Sequence, residues 1–178
     1  MTGERRNVEI KARIEDISTV AARARAIADR APIEIFQEDT YFDCPEGRLK
    51  LRRLSGEEGE LIFYARADTA TARESRYRIL PTLDPDGVIK TMSDRYGVLG
   101  QVRKKRTLFL ASNARIHIDE VEGLGSFVEI EVVLDEEETV EQGIASVALL
   151  MDRLGIRKKD LVGESYIDLL GQDPAGGA

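Results

Sequence analysis

The sequence has little of what usually announces a function. Its 178 residues include no tryptophan, one cysteine (Cys44) and one histidine (His117). A lone cysteine closes no internal disulfide, and no neighbouring ligand set marks it as a zinc ligand or a nucleophile. No run approaches the roughly 18 apolar residues of a membrane helix. The opening "MTGERRNVEI" carries charges where a secretory leader has an apolar core. The default expectation is a soluble cytoplasmic protein. Positive charge is in deficit too, with 26 Lys and Arg against 33 Asp and Glu and a net charge of −7. That balance argues against a broad nucleic-acid or anionic-membrane surface but leaves room for a locally basic pocket. Aromatic residues do not alternate with the basic ones, as a base-stacking platform requires.

What is abundant is alternation. The length suits one domain, here residues 1–170, with "GQDPAGGA" (171–178) as a disordered tail. Strand patterns recur near residues 7–14, 33–44, 48–54, 60–67, 74–80, 100–110, 115–121 and 126–134. A helix is predicted from Ile17, Val20, Ala24 and Ile27, capped by Asp16 or Ser18. Pro81 and Pro85 flank a break before a second, built on Val88, Ile89, Met92 and Tyr96. A third opens on the capping box Thr139/Gln142 and ends at Gly155. "LVGESYIDLL" adds a short closing element. Many strands with few strand–helix–strand alternations indicate a mostly antiparallel α+β fold.

Charged residues make up 33% of the chain, against roughly 25% in typical soluble proteins, and they collect on one parity of each strand. That parity carries Asn7, Glu9, Lys11 and Arg13; Arg48, Lys50 and Arg52; Glu74, Arg76 and Arg78; Lys104 and Arg106; Arg115, His117 and Asp119; and Glu129 with Glu131. For any one strand this is the solvated face of a sheet. Across strands the excess of arginine suggests bidentate phosphate recognition. Were about eight strands to close, that parity would line a lumen. Its cations would need carboxylates and a bound polyanion as counter-charge. The carboxylates would hold Mg²⁺ or Mn²⁺, which take hard oxygen ligands and bridge phosphate oxygens.

These residues resemble the CYTH superfamily, the triphosphate tunnel metalloenzymes, from Asn7 to about Leu170. The similarity lies in the first strand (E-x-E-x-K), in "RLKLR", in "VRKKRTLF" and in the terminal "SYIDLL". Its most specific part is "IDEVEGLGSFVEIE", which resembles D-x-V-x-G-L-G-x-F-x-E-I-E. The resemblance implies a closed eight-stranded antiparallel barrel, a triphosphate tunnel, with helices packed outside. It implies Glu9, Asp119, Glu129 and Glu131 as metal ligands, and Glu9, Lys11, Glu129 and Glu131 as catalytic residues. It assigns substrate binding to Lys11, Arg13, Arg48, Lys50, Arg52, Arg66, Arg76, Arg78, Lys104, Arg106 and Arg115. Two departures stand out. Asn7 occupies the position of the first glutamate, and Ala65 follows Tyr64 where a lysine is expected. Arg66 replaces that lysine only if the strand is bulged or the register differs by one.

The implied function is metal-dependent hydrolysis of an inorganic or organic triphosphate, the substrate being tripolyphosphate, ATP or thiamine triphosphate. The alternatives are class IV adenylyl cyclisation of ATP to cyclic AMP and pyrophosphate, and a module that binds nucleotide or polyphosphate without turnover. Neither nucleic acid nor membrane is an expected partner, and a homodimer is left open. His117 faces either an acid–base or substrate-contact use, or a structural one. Tyr41, Tyr64, Tyr77 and Tyr166 read as packing residues.

Overall fold

The structure, a computed structural model, describes residues 5–54 and 57–172. Eight strands form in chain order: β1 (Arg5–Arg13), β2 (Ile33–Phe42), β3 (Arg48–Arg53), β4 (Gly59–Arg66), β5 (Arg73–Thr82), β6 (Val98–Ala111), β7 (Ala114–Val121) and β8 (Gly125–Leu134). They close into one barrel in the order β1-β5-β4-β3-β2-β6-β7-β8, and every paired neighbour is antiparallel. Two meanders, β2 to β5 and β6 to β8, supply most of the wall. β1 joins them at one seam, between β5 and β8, and the β2–β6 pairing joins them at the other. Closure leaves no free sheet edge.

The helices are α1 (Ile17–Ile27), α2 (Pro85–Tyr96), α3 (Val140–Leu154) and α4 (Tyr166–Gln172). Their ends follow the local chemistry. Asp16 caps α1 by accepting from the Thr19 N–H at 3.0 Å. Both bonds of the Thr139/Gln142 box form, and Gly155 takes the left-handed conformation (φ 74°) that stops α3. Pro85 occupies the first turn of α2, where its missing N–H costs nothing. The expected break falls between Pro81 and Pro85, at residues 83–84, with β5 running two residues beyond its predicted end to Thr82. Gly171 and Gln172, expected in the tail, complete α4, while 173–178 lie outside the described residues. Among the described residues no helix is long and apolar enough to cross a membrane.

The main hydrophobic core lies outside the barrel. Val8, Ile10 and Ala12 of β1, Ile116 and Ile118 of β7, and Val128, Ile130 and Val132 of β8 point outward. There they meet Val20 and Ala24 of α1 and Val147, Met151 and Leu154 of α3. Each of the valine, isoleucine, leucine and methionine side chains contributes about 1.5–3 kcal/mol when fully buried. A smaller cluster seats α2 on Phe42, Leu49 and Leu51. With the apolar parity used against helices, the opposite parity of the same strands must face inward. The inside of the barrel is therefore polar by construction.

The outer face of β5 carries no such helix, and its parity is reversed. Arg76 and Arg78 are exposed on the outside, whereas Ser75, Tyr77 and Ile79 line the lumen. This corrects the expectation that Glu74, Arg76 and Arg78 face inward. Where the outer surface meets water, the charged parity turns out.

Candidate functional site

The lumen holds a cavity of about 260 Å³ reached by β1, β2, β3, β4, β5, β6, β7 and β8 and by α4. Lys11, Lys50, Arg52, Arg66, Lys104, Arg106, Arg115, Glu9, Glu129 and Glu131, all expected there, line it together with Asn7 and His117. Arg66 enters from a regularly paired β4, on the same side as Ile62 and Tyr64. The register differs by one from the sequence alignment, no bulge is involved, and Ala65 faces out.

Besides Arg76 and Arg78 on the outer face of β5, three more expected residues are elsewhere. Arg13, at the end of β1, is exposed; it donates to the Leu124 carbonyl at 3.0 Å and stacks on Phe127. Arg48, on the lumen parity of β3, is spent on Asp68 (2.5 Å) and Asp168 (2.7 Å), tying the loop after β4 to α4. Asp119 is fully buried and does not line the cavity. It accepts from Arg106 Nε at 2.6 Å and Nη2 at 2.5 Å, from Lys104 at 3.1 Å and from the Tyr166 hydroxyl at 3.0 Å. With its oxygens so occupied, Asp119 acts as a buried counter-ion that orients two cations.

α4 shuts one end of the tunnel. Its Tyr166 ring lies 3.9 Å from Lys11 Nζ and 4.9 Å from Lys104 Nζ, in cation–π geometry. Lys11 also donates to the Glu164 carbonyl at 3.0 Å. Burial pulls both lysines down to about 8. In the middle of the tunnel Arg106 reaches Glu129 at 2.5 Å, and Arg115 reaches Glu131 at 3.2 Å. Burial alone would raise both carboxyls. For Glu129 it is outweighed chiefly by Arg106 and Lys104; Glu131 is lowered by His117 only when that imidazole is protonated, and otherwise by Arg115 and Arg106, so both stay ionised. His117 is pushed down by burial and by Arg106, which keeps the imidazole neutral at pH 7. Glu9 moves the other way, raised first by burial and further by Glu131 and Glu129, although Arg66 donates to it at 2.9 Å.

Several lumen residues were missed. Asp39 of β2 accepts from Lys50 at 2.7 Å and from Arg52 at 2.8 and 2.9 Å. Its signal was the Gln37, Asp39, Tyr41 alternation, to which no face had been assigned. Arg73 follows from continuing the inward parity of Ser75 and Tyr77 back to the start of β5. It is buried, with Nη2 3.7 Å from Glu9. Tyr41, Tyr64, Tyr77 and Tyr166, read as packing, all line the cavity.

Burial raises the Asp39 carboxyl, but Arg52 and Lys50 outweigh it and hold it well below the usual range. Its stabilising contribution is thus present above the unfolded value near 3.9 and is lost as pH falls through the folded value. Asp39→Asn should lower stability at pH 7 by about 1–3 kcal/mol and flatten the acid limb of stability against pH. Urea titrations at several pH values check this, and an unchanged acid limb would refute it.

Among the described residues, eight cations (Lys11, Lys50, Arg52, Arg66, Arg73, Lys104, Arg106, Arg115) share the tunnel with five carboxylates (Glu9, Asp39, Asp119, Glu129, Glu131). The excess of three positive charges in a low-dielectric enclosure calls for an anion. Toward the end remote from α4 the lining turns apolar, with Ile35, Ile62, Ile79 and Leu108, and Arg115 there donates to the Tyr77 hydroxyl at 2.9 Å.

Known proteins share this architecture. The CyaB adenylate cyclase of Aeromonas hydrophila is 25% identical over 172 residues, covering 93% of this chain and 88% of that one. The solved structure of the PH1012 protein from Pyrococcus horikoshii superposes with a TM-score of 0.81 at 24% identity, covering 92% of this chain and 98% of the other. A Hippeastrum protein described as having a dominant triphosphatase activity superposes at 0.63 with 14% identity, over 98% of this chain and all (100%) of that one. Residues 5–166, from the first strand through the tyrosine that plugs the tunnel, match the CYTH domain, and the chain belongs to that family.

Proposed function

We propose that the protein hydrolyses a triphosphate inside this tunnel with the help of a divalent cation. The observation that carries the reading is the enclosed excess of cations beside two converging carboxylates. Lys50, Arg52, Arg66, Lys104, Arg106 and Arg115 would hold the non-bridging oxygens of a linear polyphosphate. Because these donors are anchored by Asp39, Asp119 and the strand framework, they need no reorganisation as charge develops on the transferred group. The site's Glu129 and Glu131, with Glu9 adjoining Glu131 across the β1–β8 pairing, supply the hard oxygen donors a divalent cation requires. When bound, such a cation supplies charge neutralisation at the phosphate oxygens and a lowered pKa for water. The α4 plug with Tyr166 excludes bulk solvent from the Lys11 end.

A second reading, cyclisation of ATP, is favoured by the apolar end. Ile35, Ile62, Ile79 and Leu108 offer a surface for an organic group that inorganic tripolyphosphate lacks. One assay separates the readings. The protein is incubated with Mg²⁺ or Mn²⁺ and with tripolyphosphate, ATP or thiamine triphosphate, and orthophosphate and cyclic nucleotide are quantified. Hydrolysis predicts metal-dependent orthophosphate release without cyclic AMP. Cyclic AMP with equimolar pyrophosphate would establish the second reading instead. Tight binding of all three without turnover would leave a sequestering module.

A further inference from the structure

We propose that the cation position in this tunnel is a mixed nitrogen–oxygen site formed by His117, Glu129 and Glu131, and that it prefers a first-row transition cation to Mg²⁺. The inference rests on the metal-dependent reading above and concerns which ligands and which metal serve it.

One donor atom from each of the three residues lies within 4.8 Å of the other two. His117 is only 5% exposed, and its Nδ1 is buried with no hydrogen-bond partner. A buried imidazole nitrogen without a partner is costly unless something completes it. This Nδ1 lies 3.7 Å from Glu131 Oε1 and 3.8 Å from Glu129 Oε2, too far for hydrogen bonds. Two donors sharing a cation at roughly 2.0–2.2 Å each stand no more than about 4.4 Å apart, a bound that both separations meet. The Glu131 oxygen facing His117 is not the one Arg115 holds, since Arg115 takes Oε2, whereas Glu129 Oε2 accepts from Arg106 at 2.5 Å and must share that bond with a cation. Cross-strand register fixes the constellation, with His117 opposite Glu129 and Arg115 opposite Glu131 on the β7–β8 pair.

A second orphan atom lines the same cavity. Asn7 is 3% exposed and its Oδ1 is buried without a partner. It sits two residues before Glu9, which pairs with Glu131. An amide at this position brings a neutral oxygen donor, and the His117 imidazole brings a nitrogen donor. Mg²⁺ is suited by carboxylate, carbonyl and water oxygens, whereas an imidazole ligand favours first-row transition cations. His117 is therefore the residue that shifts the preference away from Mg²⁺, while Asn7 removes one negative charge from the site.

The test uses metal-stripped full-length protein. Mn²⁺ and Mg²⁺ are titrated by calorimetry, and the Mn²⁺ complex is examined by pulsed electron paramagnetic resonance for a directly bound ¹⁴N. Wild type should bind Mn²⁺ more tightly than Mg²⁺ and show imidazole nitrogen modulation. His117→Asn should lose that modulation and about 10–100-fold in Mn²⁺ affinity, with a smaller change for Mg²⁺. Asn7→Glu should raise the affinity for both ions by adding a carboxylate to the site. Mn²⁺ bound without nitrogen modulation, or Mg²⁺ bound as tightly as Mn²⁺, overturns this site assignment alone. No binding of either ion overturns the metal-dependent reading as well. Should His117→Asn fail to fold, the wild-type resonance spectrum still decides the question.

Discussion

Arg106→Ala should destabilise the protein by about 3 kcal/mol or more, in the lower part of the range for removing one partner of a buried ion pair. The same change should weaken tripolyphosphate binding about 10–100-fold, the worth of one charge-assisted contact. The sequence alone predicts the second effect, because a basic residue on a tunnel strand reads as a phosphate ligand. The structure adds the first. Arg106 is 5% exposed and supplies two of the bonds that satisfy Asp119 as well as one to Glu129. Without it, Asp119 keeps Lys104 and Tyr166, and Glu129 keeps Lys11 at 3.5 Å, which places the loss toward the low end. Arg106→Lys separates the two roles, since an ammonium retains the charge but not the fork that spans both Asp119 oxygens. Denaturant unfolding measures the first effect and calorimetry with tripolyphosphate the second. A variant as stable as wild type would mean that Asp119 relaxes toward solvent or is protonated at little cost.

The same residues explain how far the sequence could be read. β1, β7 and β8 were legible because helices cover their outer faces. There the apolar parity is compelled outward and the charged parity inward, so the expected charged face, with Glu9, Lys11, His117, Glu129 and Glu131, is the inner one. The identical pattern in "ESRYRIL" means the reverse, because no helix covers the outside of β5 and water takes the arginines. Period-two alternation identifies two faces but does not name the inner one, and only tertiary packing supplies that name. Asp39 and Asp119 exceed what a strand pattern can convey for another reason. Whether a carboxylate faces a cavity or is sealed behind the arginines depends on side-chain reach across the lumen. Arg48 was misplaced similarly, since its parity is correct but Asp68 and Asp168 capture it at the tunnel's end. Tyr166 lay in the "SYIDLL" segment carrying the resemblance, yet its place inside the barrel depends on α4 folding back under the strands.

Glu131→Gln should reduce metal-dependent triphosphate turnover about 10²–10³-fold while shifting the melting temperature by no more than about 4 °C, the equivalent of roughly 1 kcal/mol. The asymmetry follows from where Glu131 sits. Its backbone neighbours Ile130 and Val132 face outward into the core against α3, and glutamine alters neither. Inside, the substitution preserves volume. It loses an ion pair with Arg115, whose side chain is 31% exposed and contributes little after screening. It also removes like-charge repulsion, because Glu131 is among the groups that raise Glu9 and it opposes the ionisation of Glu129. These terms nearly cancel in the empty tunnel. They do not cancel once a cation is held, for a neutral amide forfeits a full charge at the donor position. The several kcal/mol that a bound divalent ion contributes to charge stabilisation then translate into the expected factor at 1.36 kcal/mol per decade. Glu129→Gln is the less clean test of the same idea. Glu129 is also held by Arg106 and Lys11, and an amide would turn a donor toward those donors and disturb the fold. Kinetics on the preferred triphosphate with saturating Mn²⁺, alongside a thermal melt, measure both halves of the prediction. Turnover within tenfold of wild type would remove Glu131 from the reaction. A melting temperature far below wild type would instead make it part of the barrel's own electrostatic framework.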